Sequence, residues 1–176
     1  MPRITALLLL ASAAGVLACA DGSPTEPSAH AGSAPALARG ATPSRPAGGE
    51  CRSQFEFLSE TQILIQLDCN LRHLGRTTGT STQTITFTGQ TSTGQLTAVL
   101  TASPVYTAAN GDMLNASFTG TAIVDPAAGA VSFTGTETFS GGTGRFSDAS
   151  GSVAVSGTAS LITNSGSYIT TGSLTY

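Results

Sequence analysis

The chain contains no lysine and no tryptophan, only two histidines, and charged residues make up 10% of its 176 positions. Beyond Glu50 the positive charges are Arg52, Arg72, Arg76 and Arg145, against Glu56, Glu60, Asp68, Asp112, Asp125, Glu137 and Asp148. No basic stripe exists to neutralise a phosphate backbone, which argues against nucleic acid as a partner. Histidine is as sparse. His73 is alone in this region, there is no G-x-S-x-G elbow to pair with it, and it reads as structural or exposed. No metal-ligand constellation is visible, so neither metal nor cofactor is expected. The glycine cluster at Gly141–Gly144 is no phosphate loop, because it lacks the Lys-Ser/Thr ending and no helix follows. Helical periodicity is almost missing as well, while alternation of apolar and small polar residues is everywhere after Glu50.

Long hydrophobic runs are also lacking, with one short exception. Ile4 to Val16 follows Arg3 and is rich in Leu and Ala. A membrane span needs roughly 20 apolar residues, but a positive start and a shorter run suit an export signal. The run ends in Val16-Leu17-Ala18-Cys19, which resembles the bacterial lipoprotein box. The resemblance implies a signal peptide over 1–18, cleavage before Cys19, and acylation of Cys19 by palmitate-type chains. The partner is then the lipid bilayer, and the protein is anchored in the cell envelope on the periplasmic or surface face. The other reading is an ordinary secretory signal cut after Ala18-Cys19-Ala20. Either way the protein is exported. Acyl chains contribute about 0.8 kcal/mol per buried methylene to anchoring.

Residues 19–50 hold Pro24, Pro27, Pro35, Pro43 and Pro46 among Ala, Gly and Ser, with almost nothing large to bury. Such a segment cannot recover its ordering entropy, and a disordered tether is expected up to residue 50. Cys51 to Tyr176 is about one domain in size. With Cys19 assigned to lipid, Cys51 and Cys69 form an even pair in an oxidising compartment. A disulfide is favoured over a two-cysteine metal site, which would lack histidines at finger-like spacing. Phe55 and Phe57 share one parity, and Ile63, Ile65, Leu67 and Cys69 form a second run beyond Ser59-Glu60. A hairpin of these runs brings the two cysteines near each other.

Further strands are expected over Thr84–Thr88, Leu96–Thr101, Leu114–Val124, Ala130–Phe139, Gly151–Leu161 and Ser167–Tyr176. Leu71–Thr80 reads as irregular or as an edge, and Pro104 argues against a central place for the strand end it follows. Eight or nine short antiparallel strands point to an all-β sandwich or a closed barrel. The echo Phe87-Thr88-Gly89, Phe118-Thr119-Gly120, Phe133-Thr134-Gly135 is too irregular for a solenoid.

Phe139 to Gly157 carries the densest pattern. Gly141, Gly142 and Gly144 supply positive φ for a tight turn, Phe146 pins that turn to a core, and Gly151 marks a bulge or close approach. Gly141-Gly142-Thr143-Gly144-Arg145-Phe146, with Ala149 and Gly151, resembles the G-G-T-G-[KR]-F-x-x-A-x-G segment of dirigent proteins and allene oxide cyclases. It is most similar to bacterial secreted proteins of the allene-oxide-cyclase-like group, including the upstream Asn110-Gly111-Asp112 and Phe118-Thr119-Gly120. The resemblance spans about Gly111 to Gly157. It implies an eight-stranded antiparallel β-barrel that shapes a small apolar molecule in its interior, in a group whose members also form dimers or trimers. No cavity residue of that group can be placed here by motif.

Glu137 shares parity with Val131, Phe133 and Phe139, so strict alternation points it to the apolar side, where desolvation would raise its pKa and fit it for acid–base work. The opposing reading has Gly135 start a bulge, or Glu137 lie in water at the barrel mouth. Asp112 and Asn115 are expected to serve the Asn110-Gly111 turn. Asp148 is expected to cap the turn after Phe146, and Arg145 to lie on the surface or pair with Asp148. Three functions stay open: a binder of a small hydrophobic ligand, a cyclase- or isomerase-type enzyme using Glu137, and a solid structural or adhesive envelope module.

Overall fold

The computed structural model describes residues 43–176. The expected signal segment over 1–18, Cys19 and the expected tether as far as residue 42 lie outside the described residues.

Alternation builds a chain of nine strands. These are β1 (Arg45–Phe57), β2 (Gln62–Leu71), β3 (Gly75–Gln90), β4 (Leu96–Ala102), β5 (Val105–Ala108), β6 (Met113–Asp125), β7 (Ala130–Gly142), β8 (Ser150–Ser160) and β9 (Ser165–Thr175). Each pairs antiparallel with its neighbours in the order β2-β1-β9-β8-β7-β6-β4-β3-β5, and β2–β3 and β6–β5 pairings close the circuit. β4 and β5 share one place. β4 covers β3 from Gln83 to Gln90 and β5 covers it from Thr77 to Thr80. The outcome, over the described residues, is a closed ring of eight antiparallel strands, and closure pairs the edges that an open sheet would leave bare.

Pro104 makes the break between β4 and β5. Having no N–H, it cannot continue a ladder, but its carbonyl accepts from the Ala116 N–H at 2.9 Å. Along β6, Leu114, Ala116, Phe118 and Ala122 are buried while Asn115, Ser117, Thr119 and Thr121 are exposed. Apolar side chains therefore fill the ring, and Thr and Ser coat it.

Two sequence expectations are corrected. β1 begins at Arg45, inside the stretch assigned to the tether, and pairs with β9 from Arg45 opposite Leu174 onward. The small residues that look like linker suit a crowded wall: Ala47 is buried and the Gly49 N–H donates to Thr170 Oγ1 at 3.1 Å. The stretch 75–80 is not an edge, since β2 flanks it on one side and β5 on the other. Ring closure supplies those partners, and closure leaves no local mark.

The two ends of the ring differ. At the end holding the β7–β8 connection, Phe146, Leu114, Leu174, Leu74, Phe139 and Ala149 are buried together and plug the interior. Towards the other end, the interior opens into a cavity.

Candidate functional site

The cavity measures about 190 Å³. Its wall is mostly aliphatic and aromatic, including Ile65, Leu100, Phe118 and Phe133, and its outer lip carries the exposed Phe57, Glu60 and Phe87. An apolar cavity of about 150 Å³ accommodates a benzene ring. Room therefore exists for one ring or a chain of similar bulk.

Glu137 lies at the inner end of this space. Alternation runs unbroken along β7, and the β7–β8 register passes Gly135 without a shift. Neither a bulge at Gly135 nor exposure at the mouth occurs, and Glu137 is 4% exposed. Tyr106 Oη donates to Glu137 Oε2 at 2.9 Å. The two side chains come from β5 and β7 on either side of β6, with Tyr106 opposite Leu114 and Glu137 opposite Phe118. Ala116 is the buried residue between those positions, and its small side chain leaves room for the bond.

Burial pushes the Glu137 carboxyl up to about 7, and the hydrogen bond from Tyr106 limits the rise. Burial first, then the neighbouring Tyr168 and Glu137, hold the Tyr106 phenol well above its ordinary value. Tyr168 is pushed up by burial as well. Its hydroxyl stands 3.9 Å from Cys69 Sγ, and since a disulfide sulfur carries no hydrogen, the phenol is the donor. Cys51 and Cys69 face each other directly in the β1–β2 register and are joined as a disulfide, buried at this level of the ring. The inner end of the cavity is thus a polar floor of Glu137 and Tyr106 beside Tyr168 and the disulfide.

Ser81 on the cavity wall is the other polar feature. Its Oγ is buried and, among the described residues, is the sole buried side-chain oxygen or nitrogen without a hydrogen-bond partner. Sequence reasoning misses Tyr106, Tyr168 and Ser81. The shared parity of Tyr106 and Ala108 marks an inward tyrosine, but only the β5–β6–β7 adjacency joins it to Glu137. Among the described residues no group of three or more His, Cys, Asp or Glu comes together. His73 is exposed in the β2–β3 turn.

The glycine motif lies at the plugged end, away from the cavity. Phe146 is fully buried in the short 3₁₀ turn Gly144–Phe146 and packs edge-on against Tyr176, 5.0 Å between centroids. Gly141 and Gly144 have positive φ, as the turn requires, and Gly151 has it at the start of β8, where a Cβ would collide with the Ser173 carbonyl oxygen. Gly142 does not, a correction: it is small because a Cβ there would collide with the Met113 carbonyl oxygen. Arg145 pairs with Asp112 at 3.9 Å and lies over the Phe146 ring, so Asp148 is not its partner. Asp148 receives the Ser147 hydroxyl at 3.5 Å and makes no backbone cap. Asp112 does more than serve its own turn. It accepts from Asn110 Nδ2 at 2.7 Å and from the Arg145 N–H at 3.3 Å, which ties the β5–β6 loop to the β7–β8 loop. Asn115 is an exposed β6 residue opposite Val105 and plays no part in that turn.

No protein-family model, curated protein or solved structure matches the chain.

Proposed function

We propose that this protein is an exported envelope lipoprotein, anchored through acylated Cys19, whose ring is an allene-oxide-cyclase-like β-barrel that binds a small apolar ligand. The observation that carries the binding reading is the cavity of about 190 Å³, apolar on its walls and ending in the Tyr106–Glu137 pair. Small-molecule sites combine these features: a concave apolar surface and a few placed polar groups. The resemblance of Gly141–Gly151 to the allene-oxide-cyclase-like group supports the barrel assignment, and Val16-Leu17-Ala18-Cys19 supports the anchor. The cavity weighs against a ring packed solid as a structural module.

A second reading has its own support. A carboxyl held near neutrality in an apolar pocket is placed for proton transfer in a cyclase- or isomerase-type reaction. Native mass spectrometry of the full chain from envelope extracts tests binding. A bound small mass that leaves on denaturation supports it, and a clean apo mass after incubation with phenolic and fatty mixtures refutes it. Glu137→Gln then separates the two readings. Loss of turnover with binding retained identifies an enzyme.

A further inference from the structure

Charge, size and one orphaned hydroxyl together narrow the ligand. Glu60 and Glu137 are the charged residues on the cavity wall, and no arginine or histidine lines it. A carboxylate entering this space would shed its hydration beside another acid with no cation to receive it, which is strongly unfavourable. The groups facing Glu137 are Tyr106 and Tyr168, and neither supplies positive charge. Glu137 Oε2 is occupied by Tyr106, and among the described residues no donor reaches its second oxygen. Ser81, 5% exposed, lines the same cavity, and among the described residues its buried Oγ has no hydrogen-bond partner. A buried polar atom left single has a cost unless a ligand or water satisfies it.

We infer that the cavity selects a hydroxyl-bearing molecule of about one ring in bulk, a phenol or an alcohol of that size, and rejects carboxylates. The inference rests on the ligand-binding reading and adds the head group to it. A hydroxyl both donates and accepts, so it bonds Glu137 in either protonation state and suits Ser81 equally. The volume sets the upper bound, since a long fatty chain would leave most of itself outside the lip.

Four probes of matched bulk test this by titration into the full chain at pH 7.5: 4-methylphenol, toluene, 4-methylbenzoate and 4-methylbenzylamine. The phenol is expected to bind about tenfold more tightly than toluene, one net hydrogen bond's worth, and the benzoate not measurably. Ser81→Ala removes an unpartnered buried hydroxyl and so keeps the fold. It should weaken the phenol several-fold and leave toluene unchanged. An equal affinity for phenol and toluene, or tighter binding of benzoate or amine, overturns the inference while the cavity remains a binding site. An unchanged phenol affinity in Ser81→Ala overturns the role given to Ser81. Failure of every probe, toluene included, overturns the inference and the binding reading together.

Discussion

Glu137 is a carboxyl that folding makes harder to ionise, and its protonation is therefore linked to stability. Its value rises from 4.5 when solvated to about 7 in the fold. Between those limits the folded chain keeps a proton that the unfolded chain has released, so stability falls as pH rises across that window and levels off above it. The change is on the order of 3 kcal/mol for this one group. Thermal melts from pH 4 to pH 8 should show the decline, and Glu137→Gln should flatten it, because a neutral amide has no proton to lose. Tyr106→Phe removes the bond that limits the rise. Carboxyl ¹³C titration by NMR should then place Glu137 above its value in the parent protein; a fall would contradict the Tyr106 contact.

Strands here are held close by glycine beneath aromatic rings, which gives physical content to the Phe-Thr-Gly echo. Gly120 and Gly135 are partners in the β6–β7 register. The Phe118 ring lies over both, and a Cβ added at Gly135 would stand 2.5 Å from Phe118 Cε2. Phe133 covers Gly157 on β8 in the same way, 2.8 Å from the position of an added Cβ. The third copy differs, since Phe87 is exposed and the β3–β4 register shifts between Phe87 and Gly89. Gly135→Ala should therefore destabilise by about 1–3 kcal/mol through overpacking, read as a lower midpoint in urea. Phe146 is the most deeply buried side chain of the β7–β8 connection. Phe146→Ala should remove about 3–5 kcal/mol in the same assay, with ligand binding at the far end unchanged in the protein that remains folded.

Across the whole ring, the disulfide joins neighbours that the β-ladder already pairs. Cys51 and Cys69 are 18 residues apart in sequence and opposite each other in space. In the chain-entropy model a loop of that size contributes about 3 kcal/mol. The double replacement Cys51→Ala/Cys69→Ala should lower the denaturation midpoint accordingly, and reductant should lower that of the parent protein but not of the double variant. One end of the ring is plugged by apolar side chains and the other is open. Access to the cavity is therefore one-sided, and substitutions at Phe57 or Phe87 should change the exchange rate of a probe such as 4-methylphenol more than fold stability.

Much of this molecule is legible in single residues and short runs. Period-two alternation marks most of the strands and gives Glu137 the parity of Val131, Phe133 and Phe139. A bulge at Gly135 or a place at the mouth is equally compatible with that parity, and only the unshifted β7–β8 register puts the carboxylate inside. The same rule, applied to the Phe55 and Ile63–Cys69 runs, brings Cys51 and Cys69 together. Composition misleads at Arg45–Glu50, because Pro, Ala and Gly serve a linker and a crowded strand equally well. It misleads again at 75–80, because Thr and Gly describe an edge and an interior strand alike until the partners are known. What the sequence by itself determines here is local: the alternation, the turns, the hydrophobic side of each strand. Tertiary structure decided the contacts between residues far apart in the chain, such as Tyr106 with Glu137, Arg145 with Asp112, and the unpartnered Ser81 beside the cavity. Those depend on which strands become neighbours when the ring closes, and closure is a property of all the strands together.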